Sequence, residues 1–431
     1  MPPQPPREGV TVAEDIELGQ RVDALRPDLT ALVRDLYAHP EIGFEEHATV
    51  ARIAALLAAH GVPAEVGAYG LPTALRATVG PDGASDPGAA EGAGEDAAAS
   101  APHFAIIAEY DALPGVGHAC GHNIIAGIAV GAFLTAAPVV ARLGGRLSLI
   151  GTPAEENGGG KELIIRAGGF DDVDAAGMVH PSSGSGTSSV LGQRTTGVRR
   201  IGVTYHGRAA HAAGAPWLGR NALDGVVTAY QGVAQLRQHI LPTDRIHGII
   251  TDGGAAPNVV PERAAALFYV RSAEIDTLRE LTRRVVAVLE GAAISTGTRA
   301  EIDVDPVPPY LPLQTNVALT ERWAAALTAR GREVPAPPAV VPQGGPSTDM
   351  GNVSRVVPSI HPSIGLGGPD DVFPHNADFA DLTVLPAALD ALVDAATALA
   401  ATAVAYVSDP ALREAAAAEF AAAGGPYRWE E

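Results

Sequence analysis

From Phe104 onward the chain alternates short apolar runs, glycine-containing turns and small-residue helical stretches, which restricts this region to an α/β layer. Phe104–Ala108 and Arg146–Gly151 read as buried parallel strands, and Ala176–Val179 as a short strand ending at His180. Ala119–Ala137 and Gly158–Ala167 read as the helices between them. Open α/β sheets bind ligands beyond the carboxyl ends of their strands. The polar residues of this region stand there: Glu109 and Asp111, then Glu155 and Glu156, then His180.

The next block has another rhythm. Val198–His206 (strand), Ala222–Gln238 (helix), His247–Thr251 and Ala265–Arg271 (strands), Ile275–Ser295 (helix) and Ala300–Val304 (strand) spell βαββαβ, a ferredoxin-like domain over 197–306. The α/β pattern resumes with helices near Val317–Arg330 and Asp381–Ala405, so 11–196 and 307–431 are expected to form one discontinuous domain. Helices over 11–37 and Glu45–His60 open it, joined by a turn at His39–Phe44. Residues 80–102 hold no large apolar side chain and read as a mobile surface insertion.

Charge narrows the partners. With 29 Lys+Arg against 49 Asp+Glu the formal net charge is −20, and no basic cluster offsets it, so a nucleic-acid partner is not expected. A single cysteine, Cys120, excludes an intrachain disulfide framework. No membrane-spanning apolar run is read in the sequence, and MPPQPPREGV has no apolar signal core, so a soluble, cytoplasmic protein is expected. Among the 29 basic residues only Lys161 is a lysine, a bias to which the sequence attaches no function.

Cys120 and His122, two apart beside carboxylates at a strand end, form a candidate metal-ligand pair. Alone the pair is weak. Cys120 also reads as a small buried hydrophobe, or as a nucleophile flanked by His118 and His122, although no oxyanion signature accompanies it. Glu155 and Glu156 follow a strand and precede Gly158–Gly160. Adjacent carboxylates point in different directions, so one can bind metal while the other takes a proton from water.

Taken together, the motifs HPEIGFEE, AEYDALPGVGHACGHN, GTPAEENGGGK, MVHP, HGRAAHAAGAPWLGRNALD, GGAAPNVVPE, STDMGNVSRVVPSIHP and FPHNADF span residues 39–379 in order. This series resembles the aminoacylase and carboxypeptidase family of dinuclear zinc hydrolases. It is most similar to the branch of β-alanyl-lysine dipeptidase, aminobenzoyl-glutamate hydrolase and auxin-conjugate amidohydrolases. Glu109-Tyr110-Asp111 stands where classical members have His-x-Asp, and Asn123 where many have Asp; both departures fit that branch.

The resemblance implies a zinc-exopeptidase-like catalytic domain, with helices on both faces of a mixed sheet, and an inserted dimerisation or lid domain. Carried over position by position, it makes Cys120, His122, Glu156, His180 and His375 ligands of two divalent ions, with Cys120 between them. Zinc is the expected metal and manganese the alternative. Glu155 becomes the general base, and His211 stabilises the oxyanion in the partner subunit's site. Asn258 and Arg271 bind the substrate carboxylate across a homodimer, and Gly344, Gly345, Ser347, Thr348 and His361 close over that end. The implied reaction is hydrolysis of an N-acyl amino acid or dipeptide with a free carboxylate. Two other classes compete: a metal-free Cys/His hydrolase, and a catalytically silent assembly subunit. The latter would be expected to have lost Glu155 or a ligand, and this sequence keeps all of them.

Overall fold

The larger sheet is built from β1 (Glu65–Val66), β2 (Leu75–Val79), β3 (His103–Glu109), β4 (Arg146–Thr152), β5 (Ala175–Gly177) and a short strand, Ser359–Ile360. Its order is β1-β2-β4-β3-β5 with Ser359–Ile360 outermost. All seven residues of β3 are buried, which is why this strand is apolar on both faces instead of alternating. A computed structural model describes residues 12–81, 101–188, 191, 195–337 and 345–429. The insertion expected at 80–102 lies mostly outside these residues. The chain divides into two units, Met1–Gln193 with Gln314–Ala339 and Asn352–Glu431, and Arg194–Leu313 with Val340–Gly351.

In the first unit β3 runs parallel to β4 and β5, whereas β2 is antiparallel to β4, so the sheet is mixed. The register pairs Glu109 with Thr152 at the carboxyl ends of β3 and β4. The chain segments that follow therefore emerge side by side.

His180 does not end the preceding strand, as the apolar pattern predicts. It begins β6 (His180–Ser182), which pairs in parallel with Ser363–Gly365 in a separate ladder, His180 opposite Ser363. Its N–H donates to the carbonyl of Pro362 at 2.9 Å, so its partner lies 182 positions along the chain, beyond any local pattern.

Two further expectations need correction. The helix read over Asp381–Ala405 is two helices, Ala377–Leu382 and Pro386–Ser408, because Pro386 has no N–H to continue the first and is pre-set to start the second. Helices long and apolar enough to cross a membrane do occur, His122–Arg142 and Pro386–Ser408, but 78% and 83% of their apolar windows are buried. Both are core helices, and their small residues let them pack closely with Val12–Ala38.

The second unit contains β7 (Gly197–His206), β8 (Arg245–Asp252), β9 (Arg263–Ser272) and β10 (Arg299–Val304), in the antiparallel order β10-β7-β9-β8. With helices Ala222–Leu236 and Ile275–Thr296 the order along the chain is βαββαβ. Val203, Phe268 and Val270 pack with Val226, Leu281 and Val285 in its core. Arg200 lies over the rings of Tyr269 and Tyr310, 5.2 and 4.8 Å from their centroids.

Candidate active site

At the carboxyl ends of the first unit's strands, the donor atoms of Cys120, His122 and His180 lie within 4.8 Å of one another. Cys120, Glu156 and His375 form a second such triad, and His122, Glu155 and Glu156 a third. Gly121 makes the first of these approaches feasible. Its φ is +82°, and a Cβ there would lie 2.4 Å from Cγ of Pro181, so only glycine lets the helix start at His122 directly against β6.

The imidazoles are oriented by oxygen acceptors. His122 Nδ1 donates to Asp111 Oδ1 at 2.9 Å, leaving the buried Nε2 without a hydrogen-bond partner. That nitrogen faces Glu109 Oε2 at 3.5 Å and a carboxylate oxygen each of Glu155 and Glu156 at 4.0 Å. His180 Nδ1 donates to the Pro181 carbonyl at 2.8 Å, and its Nε2 is 3.6 Å from Cys120 Sγ. Anchoring one ring nitrogen so that the other presents its lone pair is how proteins prepare histidine for a metal. His375, at φ +74°, donates its N–H to the Ala119 carbonyl at 2.8 Å and holds Nε2 3.6 Å from Glu156 Oε1.

Burial and neighbouring charges together set the ionisation of this pocket's groups. Burial opposes ionisation of Glu109, but Lys161 and then His122 hold its carboxyl well below the usual range. Burial likewise opposes the charge on Asp111, which His122 and the N–H of Glu156, 3.0 Å from Oδ2, keep low. His122 rises well above its ordinary value because Asp111 outweighs the cost of burial. Burial pushes the Cys120 thiol up to about 12 even with His122 beside it, so the sulfur is a poor nucleophile at neutral pH. His118 is buried, is pushed down to about 3 by that burial, and makes no hydrogen bond to Cys120. His361 is also buried, 5.6 Å ring to ring from His180, and burial lowers it to about 3.

His211, Asn258, Arg271 and Gly345 belong to the second unit. His211 is exposed, and its Nδ1 accepts the N–H groups of Ala213 and Gly214 at 3.2 and 3.1 Å, which leaves Nε2–H as the outward donor. The Asn258 carbonyl accepts the N–H of Ala212 at 3.0 Å, placing Asn258 beside the His211 loop. Arg271 Nη1 donates to Ser347 Oγ at 2.7 Å and Nε to His247 at 3.2 Å. Among the described residues no carboxylate pairs with Arg271; its described side-chain partners are Ser347 and His247. Gly345 accepts the Thr196 hydroxyl at 3.1 Å through its carbonyl, while Gly344 lies outside the described residues. Sequence reasoning missed the clamp of Asp111 on His122 and the pairing of Lys161 with Glu109; the rarity of lysine was the one signal for the latter.

Comparison with known proteins identifies the family and the fold. The model of peptidase family M20/M25/M40 matches residues 105–399. Xaa-Arg dipeptidase of Mus musculus is 34% identical, over 97% of this chain and 95% of its own length. A p-aminobenzoyl-glutamate hydrolase subunit of Escherichia coli K12 is 32% identical, over 68% of this chain and 61% of its own. Among solved structures, the aminobenzoyl-glutamate utilization protein of Klebsiella pneumoniae matches the fold with a TM-score of 0.66 at 21% identity, covering 90% of this chain and 98% of that one. Matched over most of its length in both sequence and fold, the chain belongs to peptidase family M20/M25/M40 and is a hydrolase of amide or peptide bonds.

Proposed function

We propose that the protein hydrolyses the amide or peptide bond of an N-acyl amino acid or dipeptide whose released amino acid carries a free carboxylate. The observation that carries this reading is the pair of donor triads sharing Cys120. Cys120, His122, Glu156, His180 and His375 would hold two divalent ions. Nε2 of His122 and Oε1 of Glu156, both buried and neither with a hydrogen-bond partner, fit that role. The thiol favours zinc, with manganese the alternative. Such ions supply Lewis acidity and lower the pKa of water toward neutrality.

The chain's own residues do the rest. Glu155, grouped with His122 and Glu156 in the third triad, takes the proton of the attacking water, then delivers it to the leaving amine. His211, with Nε2–H turned outward, donates to the oxyanion in the partner subunit's site. Arg271 grips the carboxylate through its planar fork, helped by Asn258, His361 and Gly345. In this reading 11–196 and 307–431 form the catalytic domain, and 197–306 serves as the dimerisation or lid domain of a cytoplasmic homodimer. The net charge of −20 repels an anionic substrate at long range, so Arg271 has to act locally. The names of the mouse and Escherichia coli relatives, a dipeptidase and an aminobenzoyl-glutamate hydrolase, support an amide to an amino acid as the bond cleaved.

The test is a panel of N-acyl amino acids and dipeptides assayed before and after chelation. Turnover lost to chelator and restored by zinc or manganese is expected. Turnover that survives chelation but not thiol alkylation would replace this reading with the metal-free one.

A further inference from the structure

The motif His39–Glu46 supplies no donor to the triads, yet it runs against the turn that carries Glu155 and Glu156. Ile42 bridges Ala112 in parallel, and the Ala112 N–H donates to the Glu41 carbonyl at 2.8 Å. The Glu41 carboxylate accepts the N–H groups of Ala48 and Thr49, at 3.1 and 2.7 Å, tying the motif to the first turn of helix His47–Ala59. So anchored, Gly43 lies flat against Ala154: a Cβ on Gly43 would sit 2.8 Å from the Cβ of Ala154.

Glu46 completes the contact. Its side chain is fully buried, and Oε1 accepts the N–H of Ala154 at 2.9 Å. Ala154 has φ +56°, a left-handed conformation that a residue with a Cβ keeps only when its surroundings impose it. Its carbonyl accepts the N–H groups of Gly158 and Gly159, both at 2.9 Å, closing a turn around Glu155, Glu156 and Asn157. On the far side of the turn, Asp111 takes the N–H of Glu156. A carboxyl in this buried position costs free energy that an apolar side chain would not, and burial accordingly pushes Glu46 up to about 7. Packing alone does not account for a glutamate here.

We infer that Glu46 is a positioning residue for the general base: by bonding the Ala154 N–H it holds the left-handed turn and so sets the direction in which the Glu155 carboxylate leaves it. The inference rests on the assignment of Glu155 proposed above. Asp111, not Glu46, holds the backbone of the ligand Glu156, so the two functions of the turn are separable.

The experiment compares Glu46→Ala, Glu46→Gln and Glu155→Gln on the best substrate of the panel, with metal content and thermal unfolding measured on each. Glu46→Ala is expected to lower kcat by about 10–100-fold, the range in which a displaced catalytic group costs rate, with KM within about twofold and metal content unchanged. Glu46→Gln keeps the carbonyl acceptor and is expected to return kcat to within about fivefold of wild type. Should the alanine variant fail to fold, Glu46→Asp, which withdraws the acceptor by one methylene, takes its place with the same expected split. Wild-type kcat in the alanine or aspartate variant overturns the inference. So does a parallel loss of metal, or a folded glutamine variant as slow as the alanine one. If Glu155→Gln is itself fully active, the base assignment fails and the inference falls with it. If Glu155→Gln is inactive and Glu46→Ala is not, only the positioning role fails.

Discussion

Lys161 Nζ stands 2.5 Å from Glu109 Oε1, with neither side chain more than 1% exposed. The single lysine of the chain is therefore spent inside the protein, and the other oxygen of Glu109 faces His122 across 3.5 Å. This pair compensates a carboxylate that would otherwise stand uncharged or unpaired beside the donor triads.

Removing one partner should cost more than removing both. Lys161→Met leaves a buried carboxylate without its cation and is expected to lower stability by about 3–5 kcal/mol. Glu109→Gln with Lys161→Met should be less destabilised than the sum of the single changes, because the two residues touch. Urea denaturation of the four proteins checks this, and additive effects would show that the pair is not coupled.

Metal content follows from the triads. An active preparation should hold two divalent ions per chain, and clearly less than one would defeat the two-ion reading. His375→Ala should lose metal together with rate. Glu155→Gln should keep its metal and lose about 10²–10⁴-fold in kcat, the usual contribution of a general base. A Glu155→Gln enzyme retaining more than roughly a hundredth of wild-type kcat would remove Glu155 from that role.

The proposed carboxylate clamp predicts selectivity. Substrates releasing a free amino acid should exceed their C-terminal amides by about 10–150-fold in kcat/KM, the equivalent of a charged hydrogen bond worth about 1.5–3 kcal/mol. Arg271→Ala should bring the acid and the amide close together. Equal rates in the wild-type enzyme would refute the clamp.

Acid should destabilise the fold through His103. This histidine is 1% exposed, with Nε2 2.7 Å from Ser148 Oγ and Nδ1 bonded to the Asp172 carbonyl, and burial pushes it down to about 4. Between about pH 6.5 and 4 the unfolded chain takes up a proton at this site that the folded chain refuses. Stability from this group is thus intact above pH 6.5 and falls with pH, by at most about 3 kcal/mol at 1.36 kcal/mol per unit. His103→Gln should flatten the fall in that window relative to wild type. An unchanged slope in chemical denaturation would mean that His103 titrates normally in the fold.

If His211 acts in the partner's site, inactive variants should complement one another. Glu155→Ala and His211→Ala homodimers would each be nearly inactive, and exchanged subunits would give about half mixed dimers with one complete centre each, hence roughly a quarter of wild-type activity. Demonstrated exchange with no recovery would assign His211 to its own subunit or remove it from the chemistry.

The layered architecture is legible in local patterning alone. Strands buried on both faces lose their alternation, so β3 and β4 were legible as a parallel core. The rule that sites lie beyond strand ends then picked out Glu109, Asp111, Glu155, Glu156 and the neighbourhood of His180. The βαββαβ order was equally legible, because each of its elements declares its own period. His375, by contrast, came from the family resemblance and not from spacing. Which side chains meet depends on how distant segments fold together. The register of Glu109 with Thr152 sets the Asp111 carboxylate against the N–H of Glu156. The bond from Ala154 to Glu46 joins positions 108 residues apart, and Lys161 finds Glu109 across 52. His180 leaves its expected strand to pair with Ser363. Local periodicity reports which face of an element is buried. It carries no information about which element lies opposite, and hydrogen bonds and ion pairs, effective over a few ångströms, depend on that.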